Sequence, residues 1–303
     1  MQTFFKIIKL KLFMLNLKKG KLIGFCINGS TKKVTKKIHF EFPEEASGVW
    51  KKKEKEDKEG LRDEEKEEAQ EEVKSSSEIT TDSKDEHMEP FYNPKERITM
   101  FIAGTQGCGK SYFISEFLDD YKLAHPERPV RLFTGLKEKD KHFERHSDRI
   151  MLARMRCKYL ERMDLETMRY NKKKQRTGCL LIFDDVDRLR DPEVKKMTYK
   201  ILYDALCNGR DHETQEGHAD IDVVVTNHEI NDYQNTKYIL TECNYLVLYP
   251  YFTTAEQIER VLKKIGVSKQ LMSRITKYQG RALIIHRTAP IYCITHSKIF
   301  LLK

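Results

Sequence analysis

The stretch "GTQGCGKSY", Gly104 to Tyr112, follows the apolar run "ITMFIA" and precedes "FISEFLDDYKLA". A strand that turns through three glycines into a helix, with Lys110 and Ser111 at the turn's exit, constrains the fold more than any other part of the chain. Glycine reaches backbone conformations that let successive N–H groups point inward, and the helix N-terminus adds its positive dipole end. Such a loop is built for phosphate. In that pattern Lys110 reaches the outer phosphates and the Ser111 hydroxyl ligates Mg²⁺. The expected nucleotide-binding residues are Gly104, Thr105, Gln106, Gly107, Cys108, Gly109, Lys110, Ser111 and Tyr112. Cys108 beside a helix N-terminus is in a setting that can lower a thiol pKa.

The pattern around this loop is an alternation of short apolar runs and helical stretches. "ITMFIAG", "PVRLFTG", "CLLIFDD", "DVVVTN" and "YLVLYP" read as strands. "KSYFISEFLDDYKLA" and "PEVKKMTYKILYDALC" read as helices, with a mixed helical, basic region over about 136–176. Alternation of this kind predicts a mainly parallel sheet flanked by helices. "AEQIERVLKKIG" places Ile258, Val261, Leu262 and Ile265 on one helical face before Gly266. Beyond it, "RALIIHRT" and "IYCITHSKIFLL" read as antiparallel strands added at the C-terminal end.

The second half of the chemistry is expected in "LLIFDDVD". Ligands of parallel α/β sheets bind at the carboxyl ends of strands, where this strand presents Asp184 and Asp185. Asp184 is assigned to the metal and Asp185 to the attacking water. "VVVTNHE" ends a further strand with Thr226, Asn227 and His228, where a polar residue can touch the γ-phosphate. "CNGRD" puts Arg210 after the helix that follows the acidic pair, where an arginine can stabilise transferring phosphoryl charge. "HFERH" (142–146) has two histidines at i, i+4, but its Glu144 is out of register for the HExxH zinc pattern.

Charge divides the chain further. Net charge is +9. Residues 1–43 hold ten lysines against one glutamate, a surplus of +9, whereas 44–90 hold nine basic and eighteen acidic groups, −9. The remainder, 91–303, therefore carries +9 itself. We read 1–43 as a basic β-hairpin appendage turning at Gly29-Ser30, 44–90 as a charged disordered linker, and 91–303 as the nucleotide-binding domain. A basic domain suits a polyanionic partner, and "NKKKQR" (171–176) is a candidate contact. Seven cysteines without a CxxC pair point to a reducing, intracellular setting. No run of eighteen apolar residues occurs, so no stable membrane insertion is expected.

Taken together, "IAGTQGCGKS", "LLIFDDVD", "LCNGR", "DVVVTNHE" and "TKYILTECNYLVLYP" resemble the genome-packaging ATPases of poxviruses, giant viruses and virophages, within the FtsK–HerA superfamily of ring-forming DNA motors. The resemblance covers about residues 96–250, and "SRITKYQGRALIIHRTAPIY" is similar to that family's closing strands. It implies ATP and Mg²⁺ as ligands, with Lys110, Ser111, Asp184 and Asp185 in the two nucleotide motifs. It also implies Asn227 at the sensor position and Arg210 near a neighbouring subunit's nucleotide. Double-stranded DNA, a homo-oligomeric ring and a viral capsid protein are the implied partners. The host cytoplasm, a viral assembly site or the virion is the implied location. Many superfamily members have Asp-Glu where this chain has Asp184-Asp185, and "DHETQEGHAD" follows the arginine where relatives pass quickly to the next strand. A helicase, an assembly ATPase that extrudes other cargo, and a nucleotide-gated scaffold without steady turnover are the competing expectations.

Overall fold

A computed structural model describes residues 14–16, 20–41, 78–135, 141–148, 150–211, 219–230, 233–278, 280–288 and 290–302. The chain forms two compact units, one of residues 1–91 with Ser297–Leu301, the other of residues 92–296 with 302–303.

In the first unit, β1 (Met14–Asn16), β2 (Lys21–Asn28), β3 (Val34–Glu41) and β5 (Glu86–Pro90) make an antiparallel sheet in the order β1-β3-β2-β5. β4 (Glu78–Thr80) pairs antiparallel with the strand Lys298–Leu301. The β2–β3 hairpin turns at Gly29-Ser30, and Asn28 shapes the turn. Its side-chain carbonyl accepts from the backbone N–H of Ser30 (3.1 Å) and Thr31 (2.8 Å). Residues 78–90, expected to be linker, instead contain β4 and β5. Charge density argued for a solvated spacer, but β5 alternates and buries Glu86 and Met88 beside β2. Glu86 is satisfied there, accepting from the Asp82 N–H at 2.9 Å, as a buried acid must be. The expected linker's remainder, 44–77, and the arm 1–13 lie outside the described residues.

The second unit holds β6 (Thr99–Ala103), β7 (Val130–Thr134), β8 (Ile150–Arg154), β9 (Cys179–Asp184), β10 (Ile221–Asn227), β11 (Tyr245–Leu248), β12 (Leu283–His286) and β13 (Tyr292–Ile294). Their order is β13-β12-β11-β6-β10-β9-β7-β8. Pairing is parallel from β11 to β8 and antiparallel at β12 and β13, the mixed architecture expected from the sequence. Every residue of β6, β9 and β10 is buried, as strands covered on both faces require.

The principal helices are α1 (Lys110–Ala124), α2 (Pro192–Asn208), α3 (Tyr233–Glu242), α4 (Ala255–Lys264) and α5 (Lys269–Thr276). α2 starts at Pro192, and the Asp191 side chain caps it by accepting from the Glu193 and Val194 N–H groups. α4 opens with a Thr254/Gln257 capping box, and Ile258, Val261 and Leu262 turn inward as expected. The mixed basic region differs from its helical expectation. It contains the strand β8 beside short helical turns at Lys141–His146, Cys157–Leu160 and Leu165–Met168. Met, Leu and Arg favour helix locally, but pairing with β7 overrides that weak preference.

A buried polar node fixes the amino end of β10. Asp222, fully buried, accepts from the Ile98 N–H (2.7 Å), the Tyr121 hydroxyl (2.6 Å) and the Arg128 guanidinium (2.7 Å). Among the described residues no helix is long and apolar enough to cross a membrane.

Candidate nucleotide site

The glycine loop leaves the carboxyl end of β6 and enters α1 at Lys110. Gly107 (φ 78°) and Gly109 (φ 109°) occupy left-handed backbone, where a side chain would be strained. Gly104 is required for a different reason: a Cβ there would lie 2.7 Å from Cys108 Sγ and 2.9 Å from the Tyr249 ring. Thr105, Gln106 and Gly107 are exposed. No side chain caps α1, and its first turn carries no acid, so nothing of the helix's own competes with an anion at its N-terminus. Lys110 is buried, with Nζ donating to the Gly104 carbonyl at 2.8 Å and lying 3.7 Å from Asp185 Oδ1.

The acids stand at the carboxyl end of β9. Asp184 is buried and Asp185 is partly open, with its backbone left-handed (φ 48°). Such a conformation in a non-glycine residue needs support from its surroundings. Thr226, at the end of β10, supplies it by accepting from the Asp185 N–H at 2.8 Å. Its hydroxyl proton is shared between Asp184 Oδ1 at 3.0 Å and Asp185 Oδ1 at 3.2 Å. His228 Nε2 lies 3.0 Å from Asp185 Oδ2. The backbone N–H groups of His228 and Glu229 donate to Asp187 Oδ2 at 2.9 and 3.2 Å.

β10 explains how these groups meet. It lies between β6 and β9, so its end sits between the loop and the acids. The Asn227 carbonyl accepts from the Gly104 N–H at 3.1 Å. The Asn227 side chain is fully buried, yet neither its oxygen nor its nitrogen has a hydrogen-bond partner. The Tyr249 hydroxyl, whose ring packs against Gly104, is likewise buried and unpaired. Buried polar groups left unpaired cost about 1–3 kcal/mol each, so their concentration beside a phosphate loop points to a ligand.

Arg210 is not brought here. α2 carries the chain back to the amino ends of the strands, where the Gly209 carbonyl accepts from the Ile221 N–H at 2.8 Å. The buried Arg169 guanidinium binds the carbonyls of Asn208 and Arg210 at 3.2 Å each. A Cβ on Gly209 would meet the Ala205 carbonyl at 2.3 Å and Arg97 at 2.4 Å. Arg210 itself is exposed. It therefore lies at the opposite end of the strands from its own chain's loop.

Other sequence expectations also acquire a place. Cys108 is buried, and burial pushes its thiol up rather than down. In "HFERH", His146 is buried, facing the Ser115 carbonyl at 2.9 Å and Lys122 Nζ at 2.8 Å. His142 lies exposed, edge-on to Tyr112. One residue escaped sequence reasoning. The Arg281 Nε donates to the Cys108 carbonyl at 3.4 Å, and its guanidinium lies 5.5 Å from the Tyr112 ring centre. The antiparallel register Leu248↔Leu283 delivers it to the loop's end of the sheet, and no local motif marks it.

Among the described residues no group of three His, Cys, Asp or Glu could hold a metal alone. Mg²⁺ keeps water and is held through one or two protein oxygens together with substrate phosphates. The Ser111 hydroxyl and the Asp184 carboxylate are donors of that kind.

The architecture and this arrangement of loop and acids define a P-loop NTPase fold. No family model matches the chain. It is similar to "Uncharacterized protein V3" of the Sputnik virophage, 28% identical over 210 residues that make up 67% of this chain and 76% of that protein. Among solved structures it is similar to B204, the DNA-packaging ATPase from Sulfolobus turreted icosahedral virus. Identity there is 14% and the TM-score 0.44, covering 67% of this chain and 98% of that one. It is also similar to the pCW3 conjugation coupling protein TcpA with ATPγS, at 12% identity and TM-score 0.47, covering 90% and 76%.

Proposed function

We propose that the chain is an ATP-hydrolysing motor that moves double-stranded DNA into a viral capsid. The observation that carries the ATPase part is the convergence of Lys110, Asp184, Asp185 and Asn227 at the carboxyl ends of three adjacent parallel strands, with Lys110 Nζ 3.7 Å from Asp185. The DNA cargo rests on the order of motifs resembling packaging ATPases and on the basic charge of 91–303.

In this reading the backbone of Gly104–Gly109 cradles phosphates and Lys110 neutralises their charge. Ser111 and Asp184 hold hydrated Mg²⁺, which, when bound, offsets charge on the outer phosphates. Asp185 orients the attacking water. Asn227, its amide unpaired in the core, hydrogen-bonds the γ-phosphate. Tyr112 lies beside the nucleotide. Arg210 serves a neighbouring subunit in a homo-oligomeric ring, since it lies too far along the strands to serve its own.

The test is ATP hydrolysis with and without double-stranded DNA, beside single-stranded DNA and RNA. Turnover stimulated by duplex DNA is the expected result. Stimulation by single strands alone would replace the motor with a helicase. Nucleotide binding without turnover would leave a scaffold. Lys110→Ala should abolish hydrolysis, because the γ-phosphate loses its nearest cation. Near-normal turnover in that variant would remove the ATPase reading.

A further inference from the structure

We propose that His228 is a positioning residue for hydrolysis, holding the Asp185 carboxylate in place once Lys110 has turned to phosphate. The inference rests on the ATPase reading above.

Three groups, two at the end of β10 and one opening α1, grip Asp185. Thr226, ending β10, reaches Oδ1 at 3.2 Å, Lys110, opening α1, lies 3.7 Å from Oδ1, and His228, just past β10, faces Oδ2 at 3.0 Å. The Lys110 contact is longest, and it belongs to a group whose charge goes to the nucleotide. The Thr226 hydroxyl has one proton and two carboxylates to serve. Among the described residues, His228 is then the remaining dedicated hold on an aspartate that is more than a third exposed. An unrestrained carboxylate of that exposure would sample several rotamers, and a water aligned by it would lose its geometry.

His228 is itself held. Its side chain is 12% exposed, and its backbone N–H donates to Asp187 Oδ2. Asp187 sits two residues beyond Asp185, and its carbonyl accepts from Lys195 Nζ at 3.1 Å. Asp185, Asp187 and His228 thus close a ring of contacts between the turn after β9 and the end of β10. Supports of this kind fix a reacting group without touching substrate.

The experiment compares His228→Ala, His228→Gln and Asp185→Asn with the wild type. Glutamine keeps an N–H donor at similar reach. His228→Ala should lower kcat by about 10² while KM for ATP stays within about threefold. His228→Gln should recover most of that loss. Unchanged kcat in His228→Ala would overturn the proposal. A fall in kcat matched by weaker binding of a fluorescent ATP analogue, with no rescue by glutamine, would overturn it too, since a general structural role does that. Urea unfolding of His228→Ala, Asp185→Asn and the His228→Ala/Asp185→Asn double tests the contact without turnover. The effects should be non-additive, and simple additivity would refute the contact even in a chain that hydrolyses nothing. Equal absence of turnover in wild type and Lys110→Ala would instead count against the ATPase reading.

Discussion

Gly104 and Cys108 border the same small space, and Gly104 is not free to change. A Gly104→Ala methyl would enter the 2.7 Å gap to Cys108 Sγ and press on Tyr249. Overpacking of that kind costs about 1–3 kcal/mol, so thermal melting should fall, and nucleotide affinity with it, as measured by calorimetric titration. Burial also decides the thiol's chemistry. With Cys108 covered and its thiol pushed up by desolvation, the nucleophilic thiolate is disfavoured at neutral pH. Iodoacetamide followed by peptide mass spectrometry should label the exposed Cys207 in the native protein and spare Cys108 until the chain is unfolded. At this scale the sequence was informative where chemistry is local. Lys110, Ser111 and Asp184 stand in contiguous patterns, and strand ends announce themselves. His228 was legible only as the end of a strand, because its contact with Asp185 depends on β10 lying against β9. Arg281 was silent, since only a register between distant strands delivers it.

At the scale of elements, β10 is the strand the site depends on. One end presents Thr226, Asn227 and His228, and the other is anchored by Asp222. Asp222→Ala would leave Arg128 without its buried carboxylate and the Ile98 N–H without an acceptor. Removing one partner of a buried pair costs about 3–5 kcal/mol, so the midpoint in urea should drop sharply, with m unchanged if unfolding stays two-state. The helical face of α4 was legible because periodicity is a property of a few neighbouring residues. β5 and β8 were not. One hides in a charge-rich stretch and the other in helix-forming residues, and each is a strand because a partner strand lies beside it. Arg210 shows the same limit. Its place after a helix was plain, but the helix's return to the amino ends removes it from its own chain's loop.

At the scale of the whole molecule, assembly and cargo come into play. If Arg210 works on a neighbour's nucleotide, Arg210→Ala should hydrolyse ATP about 10³–10⁵ times more slowly while still binding it. Mixing Arg210→Ala with Lys110→Ala should then return some activity, because mixed interfaces combine an intact loop with an intact arginine. Phosphate release from the mixture, compared with each variant alone, decides it, and no gain on mixing would remove the trans role. Duplex DNA affinity should fall steeply with salt, as phosphate contacts release counterions. Filter binding across a salt series would check this, and a flat response would remove the basic surface of 91–303 as the contact.

The strand order has a consequence for synthesis. β6 carries the glycine loop, yet both strands that flank it, Ile221–Asn227 and Tyr245–Leu248, come far later in the chain. Leaving the ribosome, the loop emerges with no ladder to join and waits while most of the domain is translated. Contacts so distant in sequence form late and slowly. Polypeptides stalled before Leu248 should therefore be unable to retain ATP, which makes nucleotide capture a report that translation of the core is complete.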